Sequence, residues 1–118
     1  MKYKVFSGTD CIGETNLETR DKGMSISIGL LVPTEKYEQI RSVFQAFNDI
    51  QEEKNQYQQA KMQRLWQTQI DSLCLTVQRS DGVIIPTGWI QIYDFAAHTV
   101  GDDELEIHAH VIEPAKLI

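Results

Sequence analysis

The chain has no pair of closely spaced cysteines: Cys11 and Cys74 stand far apart. That spacing excludes the CxxC arrangement of a structural zinc site or a dithiol redox motif and predicts two free thiols. No apolar run approaches the roughly 20 residues that a membrane span requires. Behind the basic start Met1-Lys2-Tyr3-Lys4 there is no apolar stretch of signal-peptide length, so a cytoplasmic location is the expectation. Neither the three prolines nor the seven glycines gather into a linker, and no internal repeat is visible. Residues 1–118 are therefore read as a single domain.

Positive charge is missing from one third of the chain. Up to Arg79 there are ten acids and ten bases, whereas beyond it seven acids face the single base Lys116, so the whole net charge of −6 lies in the last third. Such a surface repels phosphate backbones and anionic lipid, which argues against nucleic acid and membrane as partners. It favours a basic protein partner, with self-association as the other option.

A phosphate-binding loop is absent as well. Gly8 to Thr15 has two glycines flanking four residues and a hydroxyl soon after, but Glu14 stands where that motif needs lysine. A carboxylate there repels phosphate, and the segment reads as a glycine-containing turn. No cofactor is implied.

With 42% hydrophobic and 24% charged residues the chain has the composition of a globular domain with one core. Short strands are expected at residues 3–6 and from Ile12 to Leu17. Residues 24–32 alternate strongly: Met24, Ile26, Ile28, Leu30 and Val32 share one face, read as the buried one, and Ser25, Ser27 and Gly29 the other. Pro33 ends this strand, and Thr34 is placed to cap a helix from about Glu35. Tyr37, Ile40, Val43, Phe44, Phe47 and Ile50 then recur at helical spacing. From Gln51 to Gln69 the pattern weakens, and either one long helix bends or two helices meet near Lys54-Asn55. Nine glutamines between Glu35 and Gln69 suit a helix, but the apolar spacing is too irregular for a coiled-coil seam.

Three strands are expected after the helical region. Leu73, Leu75 and Val77 alternate with Cys74, Thr76 and Gln78, and Cys74 is read as a small apolar group inside that strand. Ser80-Asp81-Gly82 marks a hairpin turn. Val83 to Phe95 follows, kinked at Pro86-Thr87-Gly88. Glu104 to Ile112 comes last, with Leu105, Ile107, Ala109 and Val111 inward. The predicted fold is α+β: a two-layer sandwich with a mostly antiparallel sheet of four to six strands and one long or broken helix on one face. A curved or partly closed sheet around the helix is the alternative.

One surface gathers the candidate functional residues. Trp89, Gln91 and Tyr93 share a face of their strand, and Glu106, His108 and His110 share a face of the next. Closing that hairpin symmetrically around Thr99-Val100 sets Trp89 opposite His110, Gln91 opposite His108 and Tyr93 opposite Glu106. Aromatics with polar tips are enriched where partners bind. A non-catalytic binding module of inhibitor or immunity type is therefore the leading functional expectation. Its alternative is a small metal-dependent or acid–base enzyme using His108, His110 and Glu106, with His98 from the preceding loop. Asp102-Asp103 is read as a solvated turn.

Overall fold

A computed structural model of the chain describes residues 2–21, 23, 25–50, 54–94 and 105–113. Met24, Phe95, His98, the turn at Thr99-Val100 and the acids Asp102, Asp103 and Glu104 fall outside the described residues.

The N-terminal hairpin joins β1 (Tyr3–Ser7) to β2 (Asp10–Thr15), and β3 (Thr19–Asp21) leads into β4 (Ile26–Pro33). Next come a 3-10 helix at Glu35–Gln39, helix α1 (Arg41–Ile50) and helix α2 (Gln56–Ser72). The chain returns through β5 (Leu75–Arg79), β6 (Ile84–Ile85), β7 (Thr87–Asp94) and β8 (Leu105–Val111).

All pairings are antiparallel, and the order across the sheet is β6-β5-β1-β2-β4-β8-β7, with β3 added beside β4. The first and last members of that order are one stretch of chain. β6 pairs with β5, then Pro86 breaks the ladder and β7 pairs with β8, so eight strands make a nearly closed, barrel-like sheet. This corrects the expected two-layer sandwich of four to six strands with one long helix. The kink at Pro86-Thr87-Gly88 was foreseen; its effect of giving one strand two partners on opposite sides was not.

The helical region also departs from expectation. Thr34 makes no side-chain cap, because its hydroxyl donates to the Cys11 carbonyl oxygen at 2.6 Å, tying the chain to β2. The first turn is accordingly a 3-10 segment, and α1 starts at Arg41 instead of near Glu35. Two helices do meet where the apolar pattern weakens. Asn55 is the N-cap of α2, its side-chain oxygen accepting from the N–H groups of Tyr57 (3.0 Å) and Gln58 (3.2 Å). At the other end of α2, Cys74 adopts φ +51° and its N–H donates to the Asp71 carbonyl, closing the helix in the left-handed manner usually left to glycine. Cys74 is thus an exposed helix terminator before β5, not a packed strand residue.

The interior is filled by Val5, Leu31, Ile92 and Ile107 from the strands and by Tyr37, Phe44 and Ile70 from the helical side. Side chains of this size each contribute about 1.5–3 kcal/mol on full burial. Helix α1 lies against β7 and α2 lies on α1, so the exposed Tyr57 and Leu65 of α2 look outward. In β8 the inward set is Leu105, Ile107, Ala109 and Val111, as the alternation predicts.

In β4 the faces are reversed. Ser27, Gly29 and Leu31 are buried, while Ile26 and Ile28 are half-buried outside and Leu30 and Val32 are exposed. The cause lies behind the strand, where the β2–β3 connection crosses its inner side. A Cβ on Gly29 would lie 2.5 Å from Thr15 Oγ1 and 2.8 Å from the Leu17 backbone nitrogen. Only a residue without a side chain fits there, so the large aliphatic residues must take the other side.

Candidate functional site

Residues directly opposite in an antiparallel pair share a face, so the register of β4, β8 and β7 defines the outer surface. Ile26 pairs with His110, Ile28 with His108 and Leu30 with Glu106; across β8, His110 pairs with Trp89, His108 with Gln91 and Glu106 with Tyr93. The β7–β8 register is the one that symmetric closure of the hairpin predicts. Three rows result: Ile26–His110–Trp89, Ile28–His108–Gln91 and Leu30–Glu106–Tyr93. All six candidate residues stand together, joined by an apolar column from β4 that the sequence had assigned to the core.

Ring contacts knit the rows. Trp89 and His110 stack with centroids 6.1 Å apart and planes at 18°, and Tyr93 meets His108 edge-on at 4.6 Å. His108 Nε2 contacts Glu106 Oε1. The bulge at Gly88 makes room for this arrangement, since a Cβ there would collide with the imidazole Nδ1 of His110. Gln91 is buried among these neighbours, Tyr93 is half-buried, and Trp89 keeps 43% of its surface exposed. No helix among the described residues seals the indole from solvent.

Carboxylates border the aliphatic end of the face. Glu14 is the register partner of Val32 and Glu106 that of Leu30, while Glu18 Oε2 accepts from the Leu30 N–H at 3.2 Å from the Gly29 side of the strand. Leu30 at 54% and Val32 at 49% exposure are therefore water-facing aliphatics with acids around them. Among the described residues no three histidine, cysteine or acidic side chains converge as metal ligands.

A second polar cluster, missed in the sequence, lies inside. Asp94 is buried at the end of β7, where its Oδ2 accepts from the Tyr37 hydroxyl at 2.8 Å. Arg41 Nε stands 3.0 Å from the same oxygen as an ion pair, although its N–H is not aimed for a hydrogen bond. The guanidinium also lies over the Tyr37 ring, 5.1 Å from its centroid, and a second nitrogen pairs with Glu38 at 2.9 Å. Asn48 donates to the Asp94 carbonyl at 3.3 Å. Burial, and next the bond to Asp94, push the Tyr37 hydroxyl well above its ordinary 10.0. The cluster fastens the 3-10 segment and α1 to β7. Its signal was parity: Asp94 continues the inward set of Ile90 and Ile92, and an acid at such a position requires buried partners.

No family model, no curated protein and no solved structure matches this chain.

Proposed function

We propose that the chain is a non-catalytic protein-binding module, comparable in size and charge to an inhibitor or immunity protein. It docks a basic protein on the outer face of β4, β8 and β7. The observation that carries this reading is the water-facing pair Leu30 and Val32, edged by Glu106 and Glu14, on the same face as the exposed Trp89. A contiguous exposed apolar patch is the usual mark of an interaction site. Aromatic and aliphatic groups supply the desolvated centre of such an interface, and the carboxylates steer and orient a partner of opposite charge. The two cysteines, both unpaired, suit a reducing compartment, and a cytoplasmic location belongs to the same reading. No helix among the described residues is long and apolar enough to cross a membrane.

The test compares immobilised wild-type protein with Leu30→Asp and with a Trp89→Ala, Tyr93→Ala double variant, each exposed to native cell extract. Support requires a basic protein that the wild type retains and both variants lose, while circular dichroism shows all three folded. Its association with purified protein must slow as salt rises, since exposed charges are screened over about 8 Å at physiological ionic strength. Retention unaffected by either variant overturns the reading. So does a concentration series in the ultracentrifuge showing a stable homodimer that Leu30→Asp dissolves.

A further inference from the structure

Where β7 leaves β5 the sheet does not close, and a cleft of about 230 Å³ opens between the end of α2 and β7. The pairing explains it: β5 is matched to β6 at Val77 and Gln78, but Pro86 then turns the chain toward β8, so Leu75 faces no strand on that side. The last turns of α2 cover the gap. We propose that this cleft is the anchor pocket for an arginine side chain of the docking partner, an inference that rests on the binding-module reading above.

The walls fit that side chain part by part. Ile70 and Leu75 form an aliphatic floor against which three methylenes can lie. Trp89 supplies an indole wall, and an aromatic face attracts a guanidinium held over it. Asp71 lines the cleft from α2, the element facing β7 across it. Its Oδ1 is taken by the Gln67 side-chain amide at 2.9 Å, and its Oδ2 has no hydrogen-bond partner among the described residues. Thr87 and the Gln67 carbonyl oxygen add neutral acceptors. None of the described residues lining the cleft is basic.

The chemistry selects arginine over other cations. A planar, weakly hydrated guanidinium can stack on the indole and present its edge to Asp71 at once, whereas a lysine ammonium is a compact, strongly hydrated charge that cannot do both. Trp89 links the pocket to the docking face, since it stacks on His110 and also lines the cleft. A partner resting on Ile28 and Leu30 therefore reaches the cleft by passing a basic side chain across the indole.

N-acetyl-arginine methylamide, its lysine analogue and its citrulline analogue are titrated into the intact chain and followed by amide and indole N–H resonances. The expected result is saturable, millimolar binding of the arginine compound with shifts centred on Gln67, Asp71, Thr87 and Trp89. The citrulline compound, which lacks the charge, should bind about tenfold more weakly, as should the arginine compound on Asp71→Asn protein. Leu30→Asp should leave these titrations unchanged. Equal response to arginine and citrulline, or shifts centred elsewhere, or an undiminished response in Asp71→Asn, overturns the proposal. The two readings fail separately: loss of extract binding by Leu30→Asp with no arginine response removes the pocket alone, and an arginine response with extract binding unaffected by Leu30→Asp removes the docking face alone.

Discussion

β4 and β8 lie side by side, alternate equally clearly, and point their apolar residues in opposite directions. In β8 Leu105, Ile107, Ala109 and Val111 face the interior; in β4 Ile26, Ile28, Leu30 and Val32 face out, beside the histidines of β8. Alternation of period two states that a strand has two unlike faces. It does not state which face the protein covers, because that depends on what occupies the space behind the strand. Behind β8 there is room for side chains, and behind Gly29 there is the β2–β3 connection. An apolar column turned outward by its neighbours is a surface that stability alone does not account for, which is why it carries the functional reading.

The comparison can be tested by stability measurements in urea. Ile107→Ala empties a fully buried position of β8 and should cost about 3 kcal/mol, the ordinary range for an aliphatic truncation in a core. Gly29→Ala adds one carbon to the crowded inner side of β4 and should cost about 2 kcal/mol, typical of overpacking. If Gly29→Ala is neutral, the steric cause given for the reversal is wrong.

Tyr37→Phe extends the contrast to the helical side. It removes the hydroxyl that donates to the buried Asp94 carboxylate and should cost about 1–2 kcal/mol near neutral pH. It should also alter the alkaline limb. Because the folded protein holds the Tyr37 proton above its ordinary 10.0, the unfolded chain binds fewer protons than the folded one beyond that pH. Stability contributed by this group is complete below pH 10 and falls as pH rises further, so Tyr37→Phe should show a flatter decline above pH 10 than the wild type. The smallest effect belongs to the outer column: Leu30→Ser should change stability by less than about 0.5 kcal/mol, as surface substitutions do. A cost comparable to that of Ile107→Ala would return Leu30 to the core and remove the docking face.

Local features were legible in the sequence, whereas the near-closure of the sheet was legible only as the alternative to a two-layer sandwich. The hairpin turn at Ser80-Asp81-Gly82, the break near Lys54-Asn55, the kink at Pro86 and the register of Trp89 with His110 each depend on a few adjacent residues or on one parity argument. The nearly closed sheet depends on Ile84 and Ile85 finding Val77 and Gln78 while Trp89 finds His110, a choice of partners that no window of sequence contains. The six candidate site residues were grouped correctly because parity and hairpin symmetry suffice for them. Their apolar neighbours on β4 were misplaced because a strand read alone does not reveal a crossing connection. Cys74 was misplaced because alternation was carried one residue too far back, across the left-handed turn that ends α2.

The nearly closed sheet is drawn together by β6, a strand of two residues, and that brevity sets how the molecule can come apart. Releasing Ile84 and Ile85 from Val77 and Gln78 would leave every other strand pairing intact while opening the nearly closed sheet and baring the whole margin of β5. Bare margins pair readily with those of another chain. Exchange of the amides around Ile84 should therefore be the fastest within the sheet, and intermolecular strand exchange under mild destabilisation should begin at this clasp.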